Sequence, residues 1–332
     1  NKISSIKLSK IIHYIYLMSI SLFKLTDKNN FIPELGDADY GRLYKIDDED
    51  YFCINETLKV SSKILKIKLF NDDNIKGMSY WLCGNFEKNN SNMKVPYSEN
   101  IEKLNSNVLI YNKSKVQIYF EFSPTGLGKK GYGGHGHNDT GSQLIKFRGK
   151  YILDDLGNPS YFNQKKILRN YYRSSRVHNT ISRSTEEHSK FLGKYLISPS
   201  TQSDFIKYRE IGANKFAILG RFQINNRQDI VIRRTLILDD SKKIKIYNLD
   251  KYISKEKKIP QLTLILPISS KLINNKISID NSIIINFDKS LSILKRKAFK
   301  YISPSKRVPV NRYKILNFNS SFKARWDINI LK

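Results

Sequence analysis

The pattern of apolar and polar positions divides the chain into a helical first part and a strand-rich second part. From Ile3 to Phe23 the apolar residues recur at helical spacing, which predicts one helix. Further helices are expected near residues 47–70 and 73–84, where the acidic residues at 47–50 favour a helix start. Residues 85–105 are polar, rich in Asn and without a period. We therefore expect a helical region over 1–95 and a second domain over 105–332.

Beyond residue 105 the pattern becomes that of short strands. Eight segments are rich in β-branched and aromatic residues and are separated by turn residues. They are VLIYN (108–112), KVQIYFEF (115–122), SQLIKF (142–147), YILDDL (151–156), FAILGRFQI (216–224), DIVIRRTLIL (229–238), KIKIYNL (243–249) and QLTLILPI (261–268). No helical crossover separates them, which favours antiparallel pairing. The sequence predicts a mainly β fold, an antiparallel β-sandwich.

The charge balance points to an acidic partner. The 332 residues include 58 Lys+Arg against 30 Asp+Glu, a net charge of +28, which attracts polyanions. The partner could be nucleic acid or an acidic glycan, and Lys residues scattered among Asn and Ile are equally typical of a solvated basic surface. No RRM, KH, zinc-finger or helix-turn-helix signature occurs, so no nucleic-acid partner is expected.

The cysteines and the first apolar run exclude two further classes. Cys53 and Cys83 lie 30 residues apart, outside any C-x-x-C pattern, so neither a disulfide framework nor a cysteine metal site is indicated. The run from Ile11 to Phe23 contains His13 and falls short of the about 20 residues that span a bilayer. We expect a core helix there and no membrane span.

Candidate chemistry concentrates around three of the five histidines. His135 and His137 lie in the glycine-rich segment GYGGHGHND (131–139), and His178 follows in RVHNT. A hairpin turning at residues 148–150 returns Asp154 or Asp155 toward them. Two imidazoles and one carboxylate are a common ligand set for Zn²⁺, and strand alternation allows one of the two aspartates to face the metal.

Arginines precede the last of these histidines. The segment RNYYRSSRVHNT (169–180) supplies Arg169, Tyr171 and Arg173, and arginine can grip a carboxylate or sulfate with two parallel hydrogen bonds. For Arg176 a surface-exposed charged loop is the preferred interpretation.

These segments together carry a resemblance to a known family. The run GGHGHND…GSQLIKFRGKYILDDLG…YFNQKKILRNYYRSSRVHNT resembles the signature of heparinase II/III-like proteins, polysaccharide lyases that join a helical toroid to a β-sandwich. The upstream segments FEFSPTGLG and PELGDADYGRL also resemble family segments. The resemblance implies a β-sandwich of the super-sandwich type over 105–332. It implies that 1–95 is a short α-helical remnant, the C-terminal end of an (α/α) toroid.

The resemblance also assigns residues. It implies that His135 is the catalytic histidine and that His137, Asp155 and His178 bind a structural Zn²⁺, with Asp154 the competitor of Asp155 and Leu156 in place of the family's usual proline. The residues expected to bind substrate are Arg169, Tyr171, Arg173, Asp37, Asp39 and Arg42.

The implied reaction is β-elimination on a uronate-containing acidic polysaccharide such as a glycosaminoglycan or alginate. The family's acid/base tyrosine and its partner lie upstream of the loop that starts here at Gly36, and Tyr14 and Tyr16 are expected to be core residues. The chain is therefore expected to hold only part of an active site. The alternative is a non-catalytic carbohydrate-binding or assembly protein of a surface-polysaccharide pathway. We expect the protein in the periplasm or cell envelope, with the cytoplasm as the alternative compartment. A homodimer is possible.

Overall fold

The computed structural model describes residues 5–27, 29, 31–37, 53–69, 77–84, 100–125, 132–159, 165–224, 228–256, 259–303, 306–317 and 322–332. The chain forms two compact units. One consists of Asn1–Pro33 and Gly41–Asn100, and the other of Glu34–Tyr40 and Ile101–Lys332. The short segment beginning at Glu34 therefore belongs to the second unit although it precedes most of the first.

The first unit contains three helices: α1 (Ser5–Leu25), α2 (Asn55–Leu65) and α3 (Gly77–Cys83). Phe23 of α1 packs with Leu58 of α2 and with Leu69, and these residues form a small core. The buried carboxylate of Glu56 accepts hydrogen bonds from Lys59 Nζ and from the backbone N–H of Ser79, which ties α2 to α3.

Helix α1 begins and ends two residues later than the helix predicted over Ile3 to Phe23. Its stretch Lys7–Leu25 has a mean hydropathy of 1.2 and is long and apolar enough to cross a membrane, by length and composition alone. Core helices of soluble proteins and signal sequences meet the same criterion, so this is weak evidence for a span. Only 11% of the stretch is buried, and Leu8, Tyr14 and Met18 are exposed, unlike in the predicted core helix.

Seventeen strands are present in the described part of the chain. They are β1 (Asn100–Lys103), β2 (Val108–Lys113), β3 (Val116–Glu121), β4 (Gln143–Phe147), β5 (Lys150–Leu153), β6 (Ile181–Arg183), β7 (Gln202–Gly212), β8 (Lys215–Ile224), β9 (Asp229–Asp239), β10 (Lys243–Ser254), β11 (Pro260–Pro267), β12 (Lys271–Ile273), β13 (Lys276–Ile279), β14 (Ile283–Phe287), β15 (Ser292–Ser303), β16 (Lys306–Leu316) and β17 (Phe322–Leu331). A short helix α4 (Lys166–Tyr172) and a 3-10 turn (Ser175–Val177) lie between β5 and β6.

The strands form three sheets. Their orders are β1-β2-β3-β4-β5, β12-β13-β14-β17-β10-β9-β8-β7 and β15-β16-β11-β6. The strand pairs with a defined register are antiparallel, as in β9 with β10 and β10 with β17. Buried and partly exposed side chains alternate along β9 and β10, as expected for strands with one face toward a core.

One large apolar core joins the three sheets. It contains Phe120 of β3, Phe222 of β8, Leu264 of β11 and Trp326 of β17. A smaller cluster, which includes Leu156, Tyr172 and Val177, lies beneath the segments that carry the site. The predicted fold class is confirmed: the chain is mainly β, with antiparallel sheets in a sandwich-like arrangement and short N-terminal helices.

Candidate active site

Asp37 is the centre of a buried polar network in the second unit. Its carboxylate, fully buried, accepts hydrogen bonds from Asn158 Nδ2 at 2.9 Å and from Arg169, whose Nη1 lies 3.2 Å away and whose Nη2 contacts the other oxygen. His137 Nε2 lies 2.9 Å from the same carboxylate. Burial by itself would raise the pKa of Asp37, but His137 and Arg169 outweigh it and hold the pKa below its ordinary value. The group is therefore a buried carboxylate ion.

The loop that carries His135 and His137 is fixed from two sides. On one side, Asp37 N donates to His135 O at 2.9 Å. Gly36, at φ 72°, approaches so closely that a Cβ there would meet His135 O at 2.8 Å. On the other side, the buried guanidinium of Arg173 donates twice to Gly136 O, and Asn138 N donates to Arg173 O. These bonds to backbone atoms fix the short connection from His135 to His137, and the glycine at position 136 adds no side chain to it.

A second buried pair joins His178 to Asp155. His178 Nδ1 lies 2.7 Å from Asp155 Oδ2, and Gly157 N donates to Asp155 Oδ1 at 3.0 Å. Burial would lower the pKa of His178, but the charge of Asp155 and this hydrogen bond outweigh it and raise the pKa to about 9. Burial would raise the pKa of Asp155, and His178 more than offsets it. Asp154 faces elsewhere, because its Oδ1 accepts from Lys300 Nζ at 2.6 Å.

The predicted metal ligands lie close together without forming a ligand cluster. The rings of His137 and His178 are 5.3 Å apart between centroids, and Asp155 contacts His178. Within the described ranges, no group of three His, Cys, Asp or Glu side chains is arranged to hold a metal ion. His178 Nε2 is nevertheless buried and has no hydrogen-bond partner. A carboxylate on one ring nitrogen with the other left open is the usual arrangement around a metal-binding histidine, so the donor set fits a metal in chemistry.

The remaining predicted site residues occupy different environments. His135 is exposed, and Tyr171 is 38% exposed with its hydroxyl accepting from Arg312 Nη1 at 3.0 Å. Arg169 and Arg173, expected to bind substrate, are instead fully buried and directed at protein atoms, including Lys194 O. Asp39 and Arg42 lie outside the described residues.

Several residues of this network were not predicted from the sequence. Glu34 is partly buried, and its Oε1 accepts from Asn158 N at 3.2 Å; desolvation raises the pKa of this carboxyl to about 8, although Lys300 opposes the shift. Glu187 accepts from Ser174 Oγ, Ser175 N and Arg176, and so fixes the 3-10 turn before His178. Asn158 lies far from Glu34 in sequence, and the polar residues around Glu187 show no pattern. Neither carboxylate therefore carries a local sequence signal.

Comparisons with known proteins show what the chain and its fold resemble. Residues 104–248 match the protein family described as heparinase II/III-like, C-terminal. No curated protein sequence matches the chain. The fold is similar to that of heparan sulfate lyase HepC from Pedobacter heparinus, with a TM-score of 0.64 and 14% identity, over 95% of this chain and 46% of that chain.

Two further solved structures share the fold. One, described as heparinase III, has a TM-score of 0.64 and 12% identity over 99% of this chain and 49% of that chain. The other, the chondroitin AC lyase of Streptomyces coelicolor A3 in complex with chondroitin sulphate, has a TM-score of 0.51 and 6% identity over 96% of this chain and 48% of that one. The chain thus spans about half the length of these structures. The resemblance carried by the histidine motifs is confirmed, because residues 104–248 match the model of the heparinase II/III-like, C-terminal family.

Proposed function

We propose that the chain is a polysaccharide lyase, or the C-terminal part of one, that cleaves a uronate-containing acidic polysaccharide by β-elimination, with His135 acting on the substrate. The observation that carries the proposal is the contrast between His135 and its surroundings. His135 is exposed, whereas the neighbouring groups Asp37, His137 and Arg173 are buried and bonded to one another or to the loop backbone. An exposed imidazole on a rigidly held loop is suited to meet a substrate in a fixed orientation.

In this reaction the C5–H bond of the uronate and the C4–O bond to the leaving sugar break, and a C4=C5 double bond forms. A base takes the C5 proton, and an acid returns a proton to the leaving oxygen. The C5 proton is weakly acidic, so the uronate carboxylate must be neutralised for the carbanion to form. In this proposal His135 supplies that neutralising interaction from the exposed side of the loop.

Arg169 and Arg173 receive a different role from the one first predicted. Because their guanidinium groups are buried and bonded to Asp37 and Gly136, they position the loop and do not reach an external sugar. Tyr171, which is partly exposed, remains the candidate for substrate contact in this segment. Asp39 and Arg42 keep their predicted substrate-binding role as part of the proposal.

We also propose that His137, Asp155 and His178 hold a divalent metal, most suitably Zn²⁺. The support is the buried, unpartnered Nε2 of His178 beside the ring of His137. The metal would supply a fixed charge and a structural tie beneath the loop. Around these ligands, Asp37 would orient His137 through its Nε2, and the backbone N–H of Gly157 would fix Asp155 through its Oδ1.

The proposal is tested with heparan sulfate, chondroitin sulfate and alginate as separate substrates. The expected result is the ultraviolet absorbance of the unsaturated uronate product from at least one of them. His135→Ala should lower kcat by about a hundredfold or more while leaving thermal unfolding nearly unchanged, since this side chain is exposed. Tyr132→Phe, three residues earlier and also exposed, is the matched control and should retain activity.

Two results would contradict the proposal. One is the absence of an unsaturated product from every uronate polysaccharide. The other is a His135→Ala protein that cleaves as fast as the parent. Nothing in the described residues specifically supports the alternative of a non-catalytic binding or assembly protein.

A further inference from the structure

A long groove runs across the outer face of the eight-stranded sheet. Its volume is about 940 Å³, and it is lined by β7, β8, β9, β10, β14 and β17. Leu219, Leu236, Leu249 and Tyr247 form its floor. Each of these side chains alternates along its strand with a buried neighbour, so each points away from the core.

The strand register arranges cations in a row across this floor. Lys207 lies opposite Leu219, Leu219 opposite Arg234, Arg234 opposite Leu249, and Leu249 opposite Arg325. Cations therefore occupy alternate strands, with a leucine between each pair. Since neighbouring strands lie ~4.8 Å apart, successive cations stand roughly 10 Å apart along the row.

These cations are free to meet an external anion. Arg209, opposite Ala217 in the parallel row, adds a fourth positive charge at the β7 edge, and the same row ends on β17 in Asp327, whose carboxylate accepts from Asn286 and Asn329. Across the described residues, no carboxylate forms an ion pair with Arg209, Arg234 or Arg325, and all three side chains are exposed. Lys207 is exposed too, and its Nζ lies 5.3 Å from the centroid of the Phe205 ring.

The groove lies on the opposite face of the sheet from the histidine site. Arg233 and Arg234 are consecutive on β9 and so point to opposite faces. Arg233 is buried, forms an ion pair with Asp250, and donates to Gly141 O and Asn179 O, in the segments that follow His137 and His178. Arg234 points into the groove. Substrate at His135 and a ligand in the groove would therefore occupy separate surfaces.

We propose that this groove is a second binding site for an acidic polysaccharide, separate from the site of cleavage. The inference rests on the proposed function for the class of glycan. A linear glycan can lay the apolar faces of its sugars on the leucines and Tyr247, while regularly spaced carboxylate or sulfate groups meet Lys207, Arg234 and Arg325. Single-stranded nucleic acid prefers successive aromatic platforms, and the floor offers one tyrosine among three leucines.

The test measures equilibrium binding of a size-defined, fluorescent heparan sulfate oligosaccharide to the full chain carrying His135→Ala, which keeps the probe intact. The double variant Arg234→Ala/Arg325→Ala should weaken binding by about tenfold or more. Lys251→Ala/Lys323→Ala is the matched control, because these two lysines lie opposite each other on β10 and β17, on the same face and outside the groove lining. It should change binding by less than about twofold, and Arg234→Lys/Arg325→Lys should restore most of the affinity.

The outcomes separate the alternatives. Equal weakening by both alanine pairs would mean a general charge effect, and unchanged binding in Arg234→Ala/Arg325→Ala would mean that the groove does not bind the glycan; either result overturns the proposal. Tighter, groove-dependent binding of single-stranded RNA would also overturn it. Product formation is measured separately with the unmodified His135. If binding depends on the groove but no product forms, the lyase proposal is refuted and the groove proposal stands. If product forms but binding does not depend on the groove, the groove proposal is refuted and the lyase proposal stands.

Discussion

Arg173 donates two hydrogen bonds, from Nε at 3.1 Å and Nη2 at 3.0 Å, to the carbonyl oxygen of Gly136. Gly136 is the residue between His135, which is exposed, and His137, which is buried. A residue first predicted to bind substrate thus holds the turn at which the chain passes from the exposed histidine to the buried one. The relation makes Arg173 a positioning residue whose loss should affect catalysis through the geometry of the loop.

Arg173→Ala should destabilise the protein by about 2–4 kcal/mol, because it removes both donors to the carbonyl oxygen of Gly136 and the bonds from Arg173 to Lys194 O and Tyr195 O. It should lower kcat more than it raises KM, since the loop and not a substrate contact is lost. Arg176→Ala is the control in the same segment. Its guanidinium is 41% exposed and paired with Glu187, so it should cost about 1 kcal/mol or less. Denaturant unfolding and steady-state kinetics check both, and equal effects of the two variants would contradict the assignment.

Asp37→Asn should be among the most damaging single changes in the second unit. It leaves the buried guanidinium of Arg169 without its counter-ion, and breaking a buried pair in this way costs about 3–5 kcal/mol. Glu34→Gln is the control from the same segment. Burial raises the pKa of Glu34 to about 8, so at pH 6 it is already neutral and the change should cost little. Urea unfolding at pH 6 measures both, and a Glu34→Gln loss as large as that of Asp37→Asn would contradict the assigned charges.

The structure explains why the sequence predicted the strands better than the site. β9 and β10 alternate apolar and polar residues because one face is buried, and their positions follow from the pattern. β7 was missed because it is an edge strand of the largest sheet and most of its side chains are exposed, so no alternation appears. Asp37 carried no signal for its central position, since His137, Asn158 and Arg169 lie 100 residues or more away. The predicted hairpin brought Asp154 or Asp155 to the histidines in advance, and the motif resemblance then selected Asp155.

His188 predicts a loss of stability in acid. Its Nε2 donates to Ile181 O at 2.7 Å, and burial lowers its pKa to about 4. Between pH 6.5 and 4 the unfolded chain binds a proton that the folded chain does not, so stability is present above pH 6.5 and falls as the pH drops toward 4. The loss should amount to about 3 kcal/mol. His188→Gln, which keeps a donor for Ile181 O, should flatten this part of the profile of unfolding free energy against pH; an unchanged slope would contradict it.

Gly157 should tolerate no side chain. It has φ 68°, and a Cβ there would meet Glu34 Oε1 and Tyr301 O at 2.6 Å. Gly157→Ala should therefore cost about 1 kcal/mol of backbone strain and about 1–3 kcal/mol of overpacking, and it should disturb Asp155, which accepts from Gly157 N. Gly149→Ala is the control, since Gly149 has φ 80° with nothing within 4 Å of a Cβ. Equal decreases in thermal stability for Gly157→Ala and Gly149→Ala would mean that backbone strain, and not the close contacts, sets the cost.

The metal proposal leads to a prediction about two buried histidines. His178 and His188 are both buried, and each has one ring nitrogen without a hydrogen-bond partner, Nε2 in His178 and Nδ1 in His188. They differ in their neighbours, because His178 lies beside the ring of His137, whereas His188 lies beside the ring of Phe222. Purified protein should contain close to one equivalent of zinc by elemental analysis. His178→Asn should lose it, as should His137→Ala, and His188→Gln should retain it. Chelation should lower the thermal unfolding temperature of the parent protein and leave that of His178→Asn unchanged, because a ligand stabilises only the form that binds it. A metal-free parent protein, or a His178→Asn variant that keeps its zinc, would mean that the two histidine–carboxylate pairs hold the loop by themselves.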